Sequence, residues 1–286
     1  MIRFDGKGVA DSILDTLTQK VRRLKKTPKL VIVTVTPTAE VELFIRNKKR
    51  AAEKIGAELE VISYKKVPKF ENFVKRIKKA SDDPSVTGIV IQKPLPASLA
   101  TVTLYKYVDI LKEIEGVVDK STHLPPLGQA VVTAIINALS GEESCSFLST
   151  ETDCEPLKTY CKRKKVLLVG RGESGGIPIG KTLSHLKIPF INIQEDTQNK
   201  EEFYNESDII ITSVGKNVLD PSVLKQGVWL ISTGYRNDGG LWKGDYDENS
   251  IADIAGFYTP TPGGMGPVDI AYVMSNLVTA TENAPH

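Results

Sequence analysis

Three glycines in the stretch KKVLLVGRGESGGIPIG have the spacing of a phosphate-binding loop. Gly170, Gly172 and Gly175 form the pattern G-x-G-x-x-G. In a dinucleotide-binding loop the first glycine permits a tight turn, the second lets the backbone approach a pyrophosphate, and the third lets the next helix pack closely on its strand. The pattern alone has weak specificity, so a glycine-rich turn in another kind of α/β protein is the alternative.

The elements predicted on either side of these glycines favour dinucleotide binding. Residues 166–169 are a short apolar run typical of a buried parallel strand, and residues 179–186 have the pattern of a helix. The loop is therefore expected to join a strand to a helix whose N-terminal N–H groups point at a bound anion.

The remaining chain predicts an α/β fold. In the first third, helices over 11–26, 41–55 and 70–81 alternate with apolar strands over 30–35, 59–63 and 87–92, which favours a parallel sheet. A further helix is predicted over 99–115. After the glycine loop, strands over 190–193, 209–213 and 229–232 suit a compact Rossmann-like domain. The polar segment 140–163 is interpreted as a surface excursion.

Composition and charge argue against several classes of function. A net charge of +2 over 286 residues gives no reason to expect nucleic acid as a partner. The apolar runs are far shorter than a membrane span and the N-terminus lacks a signal-peptide core, so a cytoplasmic protein without membrane contact is expected. Cys145, Cys154 and Cys161 match no zinc or redox spacing, and the histidines are scattered, so no metal site is expected.

Four motifs, in the right order, resemble the bifunctional methylenetetrahydrofolate dehydrogenase/cyclohydrolase family. The family's Y-V-x-x-K-x-K-A helix is matched by FIRNKKRA at 44–51, and its V-Q-L-P-L-P by IQKPLP at 91–96. Its P-G-G-V-G-P is matched by PGGMGP at 262–267, and its V-G-R-S-x-x-V-G-x-P by parts of the glycine loop. Four motifs spread over most of the chain are more specific than any one of them.

This resemblance implies an α/β fold of two domains. Residues 1–120 and 260–286 are expected to form the folate and catalytic domain, completed by the C-terminal helix, and residues 121–259 an inserted Rossmann-like NAD(P)-binding domain with a parallel sheet. The implied reactions are oxidation of 5,10-methylenetetrahydrofolate and hydrolysis of the methenyl product to 10-formyltetrahydrofolate. Tetrahydrofolate derivatives, with or without a polyglutamate tail, are the expected partners of a cytoplasmic homodimer.

The resemblance also implies a catalytic set made of Lys48, Gln92 and Asp119, the last of which is matched to the pterin-anchoring aspartate of the family's D-V-D-G motif. A lysine in a cleft loses solvation, which lowers its pKa and permits proton exchange with a water or a folate nitrogen. Gln92 adds a neutral donor and acceptor beside it, and the carboxylate of Asp119 suits the paired N–H groups of the pterin edge. Without the motifs, a solvated lysine, a strand-end cap and an Asx-turn are the ordinary interpretations of these residues.

Two binding sets follow from the same motifs. The expected substrate-binding residues are Phe44, Lys48, Gln92, Asp119, Pro262, Gly263, Gly264, Gly266 and Pro267. The expected cofactor-binding residues are Gly170, Arg171, Gly172, Glu173, Ser174, Gly175, Gly176, Pro178, Glu195, Asp196, Val214 and Gly215.

Several residues depart from the family pattern. Phe44 replaces a tyrosine, Lys93 a leucine, Lys120 a glycine and Asp269 a threonine. The added charges motivate one alternative, an NAD(P)-dependent dehydrogenase of another substrate on the same scaffold. The loss of the tyrosine hydroxyl, together with a rearranged loop, motivates another, a folate-binding protein without turnover.

The choice between NADP and NAD depends on charges near the glycine loop. Arg171 lies where the family uses an arginine to meet a 2′-phosphate, which favours NADP. Glu195 and Asp196 follow the next predicted strand, where an acid accepts bonds from a ribose 2′-OH and repels a phosphate, which favours NAD. NADP is the expected cofactor, with NAD as the alternative.

Overall fold

A computed structural model describes residues 1–101, 103–141 and 155–284 of the chain. The chain folds into two compact units. The first contains residues 1–12 and 125–269, and the second contains residues 13–124 and 270–286. No helix in the described ranges is both long and apolar enough to cross a membrane.

The elements follow one another in an α/β pattern along the chain. The helices are α1 (Gly6–Val21), α2 (Ala39–Ile55), α3 (Phe70–Asp82), α4 (Pro126–Ser140), α5 (Glu155–Cys161), α6 (Gly176–His185), α7 (Lys200–Glu206) and α8 (Met265–Glu282). The strands are β1 (Ile2–Arg3), β2 (Lys29–Val35), β3 (Glu58–Tyr64), β4 (Gly88–Ile91), β5 (Val166–Val169), β6 (Ile191–Ile193), β7 (Ile209–Thr212), β8 (Trp229–Ser232), β9 (Arg236–Asp238), β10 (Leu241–Lys243) and β11 (Phe257–Tyr258).

The first unit is built on a six-stranded parallel sheet with the order β1-β11-β8-β7-β5-β6. Strands β5 and β7 are buried along their whole length, which explains why their sequences are continuous apolar runs. The direction of the strand order reverses beside β5, because β6 lies on one side of it and β7 on the other. Ligands of open α/β sheets bind at the carboxyl ends of the strands at such a reversal.

The second unit contains a smaller parallel sheet with the order β3-β2-β4. Its apolar core joins this sheet to α3 through Phe73 and Ile77, both of which are fully buried. The C-terminal part of α8 belongs to the same unit. There Asn276 Nδ2 donates to the carbonyl oxygens of Ile114 and Leu124 at 2.7 and 3.0 Å. The predicted α/β class, with a C-terminal helix completing the first α/β part, is confirmed.

The helix predicted over 99–115 is wrong. This stretch forms two 3₁₀ turns, Leu104–Tyr107 and Ile110–Lys112, and then runs beside β4 through a parallel bridge between Ile89 and Glu113. The side chain of Asp109 accepts a bond from Leu111 N at 3.0 Å, so it caps the second turn and fixes a short element there. Helical spacing of apolar residues arose because the buried side chains of successive turns face one core.

The segment 140–163 is only partly a surface excursion. Its last part is α5, in which Leu157 and Cys161 are fully buried, and burial raises the pKa of the Cys161 thiol to about 12. This cysteine is a core residue with little thiolate character at neutral pH. Cys145 and Cys154 lie outside the described residues.

Segments near both ends of the chain belong to the first unit. Residues 1–12 and 260–269 cluster with the six-stranded sheet, because β1 pairs with β11 and the start of α1 packs on the loop before α8. A Cβ on Gly6 would lie 1.9 Å from the carbonyl oxygen of Gly264. This close approach requires glycine at position 6.

Candidate active site

Helix α2 carries the lysine predicted to be catalytic. Its start is capped by Thr38 Oγ1, which accepts a bond from Val41 N at 3.4 Å, and its end is closed by Gly56 in the left-handed conformation (φ 80°). Lys48 is only 6% exposed, whereas the neighbouring Lys49 and Arg50 are exposed. Of these basic residues, Lys48 alone faces inward, on the same side of the helix as the buried residues Val41, Ala51, Ala52 and Ile55.

The end of strand β4 supplies the partner of this lysine. Lys48 Nζ donates to Gln92 Oε1 at 2.7 Å, and Gln92 Nε2 donates to the carbonyl oxygen of Lys93 at 3.1 Å. Both sides of the amide are therefore engaged, which fixes its orientation with the oxygen toward the cation. The structure brings together Lys48 and Gln92 as predicted, in the second unit.

A third member of this cluster, Glu115, was not predicted from the sequence. Its Oε2 accepts a bond from Ile91 N at 3.2 Å, next to Gln92, and its own N–H donates to Glu113 Oε1 at 2.8 Å. The residue is partly exposed, but its carboxyl group is enclosed by protein atoms. Burial raises the pKa of Glu115 to about 7 and the negative charge of Glu113 adds to this, while the positive charges of Lys48 and Lys93 oppose it.

The sequence contained a signal for Glu115. Glu113, Glu115 and Gly116 keep the acid-x-acid-glycine spacing of the family's D-V-D-G motif, with both aspartates lengthened to glutamate. Asp119 matches the motif in residue type but not in spacing, because Lys120 follows it where the motif has a glycine. Asp119 and Lys120 are both exposed, four and five positions further along the chain. The positive charge of Lys48 lowers the pKa of Glu115, so the carboxyl group of Glu115 lies near this lysine.

The other predicted substrate residues lie in both units. Phe44 is half-buried and stands one helical turn before Lys48, on the same face of α2. The stretch from Pro262 to Pro267 belongs to the first unit, as does Asp269. In it Gly263 has φ 97°, and a Cβ on Gly264 would lie 2.4 Å from the carbonyl oxygen of Pro260, so both positions require glycine. The bonds before Pro94 and Pro262 are cis.

Replacing Glu115 by glutamine is expected to change how stability depends on pH. The ordinary pKa of 4.5 applies to the unfolded chain and about 7 to the folded one, so between these values the folded state holds the extra proton. The contribution of Glu115 to stability is therefore fully present below pH 4.5 and is lost as the pH rises through 7. Glu115→Gln cannot lose this contribution. Its free energy of unfolding relative to the wild type should therefore rise by up to about 3 kcal/mol as the pH increases from 4.5 to 7.

Urea titrations of both proteins from pH 5 to 8 measure this difference. Asp119→Asn is the matched control, because it neutralises an exposed carboxyl group of the same segment and should change the free energy of unfolding by less than about 0.5 kcal/mol at each pH. If the free energies of unfolding of Glu115→Gln and the wild type differ by the same amount at every pH, the raised pKa of Glu115 is contradicted.

The glycine loop leads from β5 into α6 at the reversal of the large sheet. Gly170 has φ 117°, and a Cβ on it would lie 2.6 Å from the carbonyl oxygen of Ser213. A Cβ on Gly175 would lie 1.8 Å from Ser213 Oγ, and one on Gly176 would lie 2.2 Å from the carbonyl oxygen of Gly170. Gly170 and Gly176 require glycine because a Cβ there would meet backbone atoms of the end of β7 and of the loop itself, whereas at Gly175 the nearest atom belongs to a serine side chain that can rotate.

Gly172 differs from these three positions. Among the described residues, no atom lies within 4 Å of a Cβ placed there. Protein packing therefore does not require glycine at 172, whereas a pyrophosphate lying against the backbone would. The loop, with α6 beginning at Gly176, fits a dinucleotide.

The loop after β7 is fixed by a buried carboxylate. Asp245 is fully buried and accepts bonds from the backbone N–H groups of Val214, Gly215 and Lys216 at 3.1, 2.7 and 3.1 Å. Three such bonds hold this loop beside the glycine loop, so Asp245 positions two predicted cofactor-binding residues. No spacing in the sequence indicated this role, because the pairing joins residues far apart in the chain.

The charged residues predicted to select the cofactor all lie in the first unit. Arg171 Nε donates to Asn192 Oδ1 at 3.0 Å, and Asn192 Nδ2 donates to the carbonyl oxygen of Gly170 at 3.1 Å. Glu195 is exposed and pairs with Lys216. The remaining predicted residues Glu173, Ser174 and Asp196 are exposed, and the carbonyl oxygen of Pro178 accepts a bond from Thr182 Oγ1.

Comparison with known proteins agrees with this geometry. Residues 4–115 match the family model described as tetrahydrofolate dehydrogenase/cyclohydrolase, catalytic domain, and residues 151–285 match that family's NAD(P)-binding domain. The bifunctional protein FolD of Staphylococcus aureus strain JH9 is 27% identical over 290 residues, covering 96% of this chain and 95% of the relative.

Two solved structures have the same fold. The bifunctional FolD enzyme of Campylobacter jejuni superposes with a TM-score of 0.85 at 21% identity, covering 99% of both chains. The Trypanosoma brucei enzyme, complexed with NADP and an inhibitor, superposes with a TM-score of 0.83 at 21% identity, covering 98% of this chain and 97% of that one.

The sheet and its glycine loop define an α/β protein with an NAD(P)-binding domain. Its two family matches cover both parts of one enzyme in chain order. The chain belongs to the tetrahydrofolate dehydrogenase/cyclohydrolase family.

Proposed function

We propose that this protein oxidises 5,10-methylenetetrahydrofolate with NAD(P) and hydrolyses the resulting methenyl compound to 10-formyltetrahydrofolate. The observation that supports this most directly is the buried cation Lys48, bonded to Gln92 and close to the carboxyl group of Glu115. A buried lysine without a full countercharge is costly to maintain, so its presence indicates a chemical task.

In the hydrolysis, Lys48 Nζ exchanges a proton with the attacking water or with the folate nitrogen that leaves the one-carbon unit. Gln92 Oε1 holds the ammonium group at one position, so its remaining N–H bonds point at the substrate. Glu115 supplies the carboxyl group that accepts the N–H groups of the pterin edge, the role first expected of Asp119. Phe44 offers a ring surface for the pterin on the same helix face.

For the dehydrogenation, a bound nicotinamide would supply the acceptor for the hydride of the one-carbon bridge. The part of this chain is to hold the dinucleotide: Gly172 admits the pyrophosphate and the start of α6 faces its charge. Asp245 keeps the neighbouring loop at Val214 and Gly215 in place. The stretch from Pro262 to Pro267 is proposed to place backbone against the folate.

NADP is the proposed cofactor, with NAD as the alternative. Arg171 is held by Asn192 through Nε, so its two terminal amino groups are the ones directed to a 2′-phosphate. Glu195 opposes this choice, but its charge is balanced by Lys216. A homodimer in the cytoplasm that accepts folates with or without a polyglutamate tail is the proposed working form.

The direct test is to incubate the purified protein with 5,10-methylenetetrahydrofolate and either NAD or NADP. We expect reduced nicotinamide to form with both and faster with NADP, and methenyl absorbance to stay low because hydrolysis follows. No turnover with either dinucleotide would contradict the proposal. Tight folate binding without turnover would support a folate-binding protein instead, and dinucleotide binding without folate binding would support a dehydrogenase of another substrate.

A further inference from the structure

An ion pair spans the carboxyl end of β5, where the glycine loop begins. Lys216, in the loop after β7, places Nζ 3.3 and 3.4 Å from the two carboxylate oxygens of Glu195, which follows β6. Because β5 lies between β6 and β7 in the sheet, the two side chains meet across the end of β5, just before Gly170. This is the edge at which a dinucleotide is expected to bind.

The backbones that carry this pair are fixed. The N–H of Lys216 donates to Asp245, and the turn that contains Glu195 is closed by a bond from Gln194 N to Thr197 Oγ1 at 2.9 Å. Lys200 Nζ also donates to the carbonyl oxygen of Glu195 at 2.7 Å. The fold therefore sets the backbone positions from which the two charged side chains extend, independently of their mutual attraction.

The pair itself is weak. The side chains of Lys216 and Glu195 are 63% and 78% exposed, and exposed ion pairs contribute little to stability because water screens them. Either side chain can therefore exchange its partner for a charged ligand at small cost. A structural role does not explain why an acid and a base meet at this edge.

We propose that Lys216 is a specificity-determining residue that lets this loop accept a 2′-phosphate in spite of Glu195. An acid after the second strand of a dinucleotide fold binds the ribose 2′-OH and repels a phosphate at the same place. Lys216 cancels that repulsion, and when the phosphate enters it takes the carboxylate's place as the partner of Lys216. Arg171 then meets the same phosphate from the glycine loop.

This inference rests on the proposed use of a nicotinamide dinucleotide, so its test avoids the folate reaction. Adenosine 2′,5′-bisphosphate and adenosine 5′-monophosphate differ only in the 2′-phosphate, and calorimetric titration gives the affinity of each for the full-length protein. Lys216→Ala should weaken binding of the bisphosphate about tenfold and binding of the monophosphate less than twofold. Lys216→Arg should restore the bisphosphate affinity.

Two further variants separate this role from general charge. Lys200→Ala removes a cation that bonds the backbone, not the carboxylate, of Glu195, so the ratio of the two affinities should stay within twofold of the wild type. Glu195→Gln should strengthen bisphosphate binding, and adding it to Lys216→Ala should recover part of the loss.

The inference would be overturned if Lys216→Ala weakened the binding of both nucleotides equally. It would also be overturned if Lys200→Ala changed the ratio of the two affinities as much as Lys216→Ala does. Failure of the folate assay with normal discrimination between the nucleotides would count against the proposed reaction and leave the role of Lys216 supported.

Discussion

Lys48→Met is expected to reduce the hydrolysis of methenyltetrahydrofolate by roughly 10²- to 10⁴-fold, the range typical of a lost proton-transfer group. Methionine keeps the unbranched length of the lysine stem, so the buried side chain is replaced without a cavity. The fold does not need the charge. Lys48 is only 6% exposed, so folding removes its ammonium group from water at a cost in free energy that methionine does not have. Affinity for a folate should therefore stay within roughly tenfold of the wild type.

The two reactions must be followed separately to test this. Methenyltetrahydrofolate supplied directly reports hydrolysis through the loss of its absorbance, and reduced nicotinamide reports the oxidation. Lys49→Met is the control, because it removes an exposed cation from the adjacent position of α2 and should leave both rates unchanged. A hydrolysis rate in Lys48→Met equal to that of Lys49→Met would refute the role of Lys48.

The pair Lys48 and Gln92 could be predicted from sequence because each residue occupies a fixed place in a local element. Lys48 lies on the face of α2 that also carries Val41 and Ile55, and Gln92 directly follows the apolar strand β4. Sequence alone could not show that the lysine is buried, because the adjacent Lys49 and Arg50 make this part of the helix look like a solvent-exposed basic segment. Only the packing of the helix distinguishes the three.

Glu115 shows why the third member was harder to predict. It follows a segment whose apolar spacing resembles a helix, and its approach to Ile91 is a contact between stretches of chain that the local pattern does not connect. The same reason applies to β1 and β11, which are two residues long each and exist because they pair with each other and with β8. Long apolar runs such as β5 and β7 were predictable because burial on both faces leaves a continuous signal.

The glycine loop offers the second large effect, through Gly176→Ala. A Cβ at this position would lie 2.2 Å from the carbonyl oxygen of Gly170 and 2.8 Å from Arg171 N, and these are backbone atoms that cannot rotate away. The loop must therefore move, and we expect a loss of about 1 to 3 kcal/mol in the free energy of unfolding. Affinity for NADP should fall roughly a hundredfold, because a displaced loop loses more than one contact with the phosphates.

Gly172→Ala separates packing within the loop from contact with the ligand. No described atom lies within 4 Å of the added Cβ, so the free energy of unfolding should stay within about 0.5 kcal/mol of the wild type. NADP affinity should nevertheless fall about tenfold or more, since the methyl group occupies the side from which the pyrophosphate approaches. Urea titration and calorimetric titration with NADP measure the two quantities on the same samples. If Gly172→Ala binds NADP as tightly as the wild type, the pyrophosphate does not lie against Gly172, and the glycine pattern reflects packing of the loop alone.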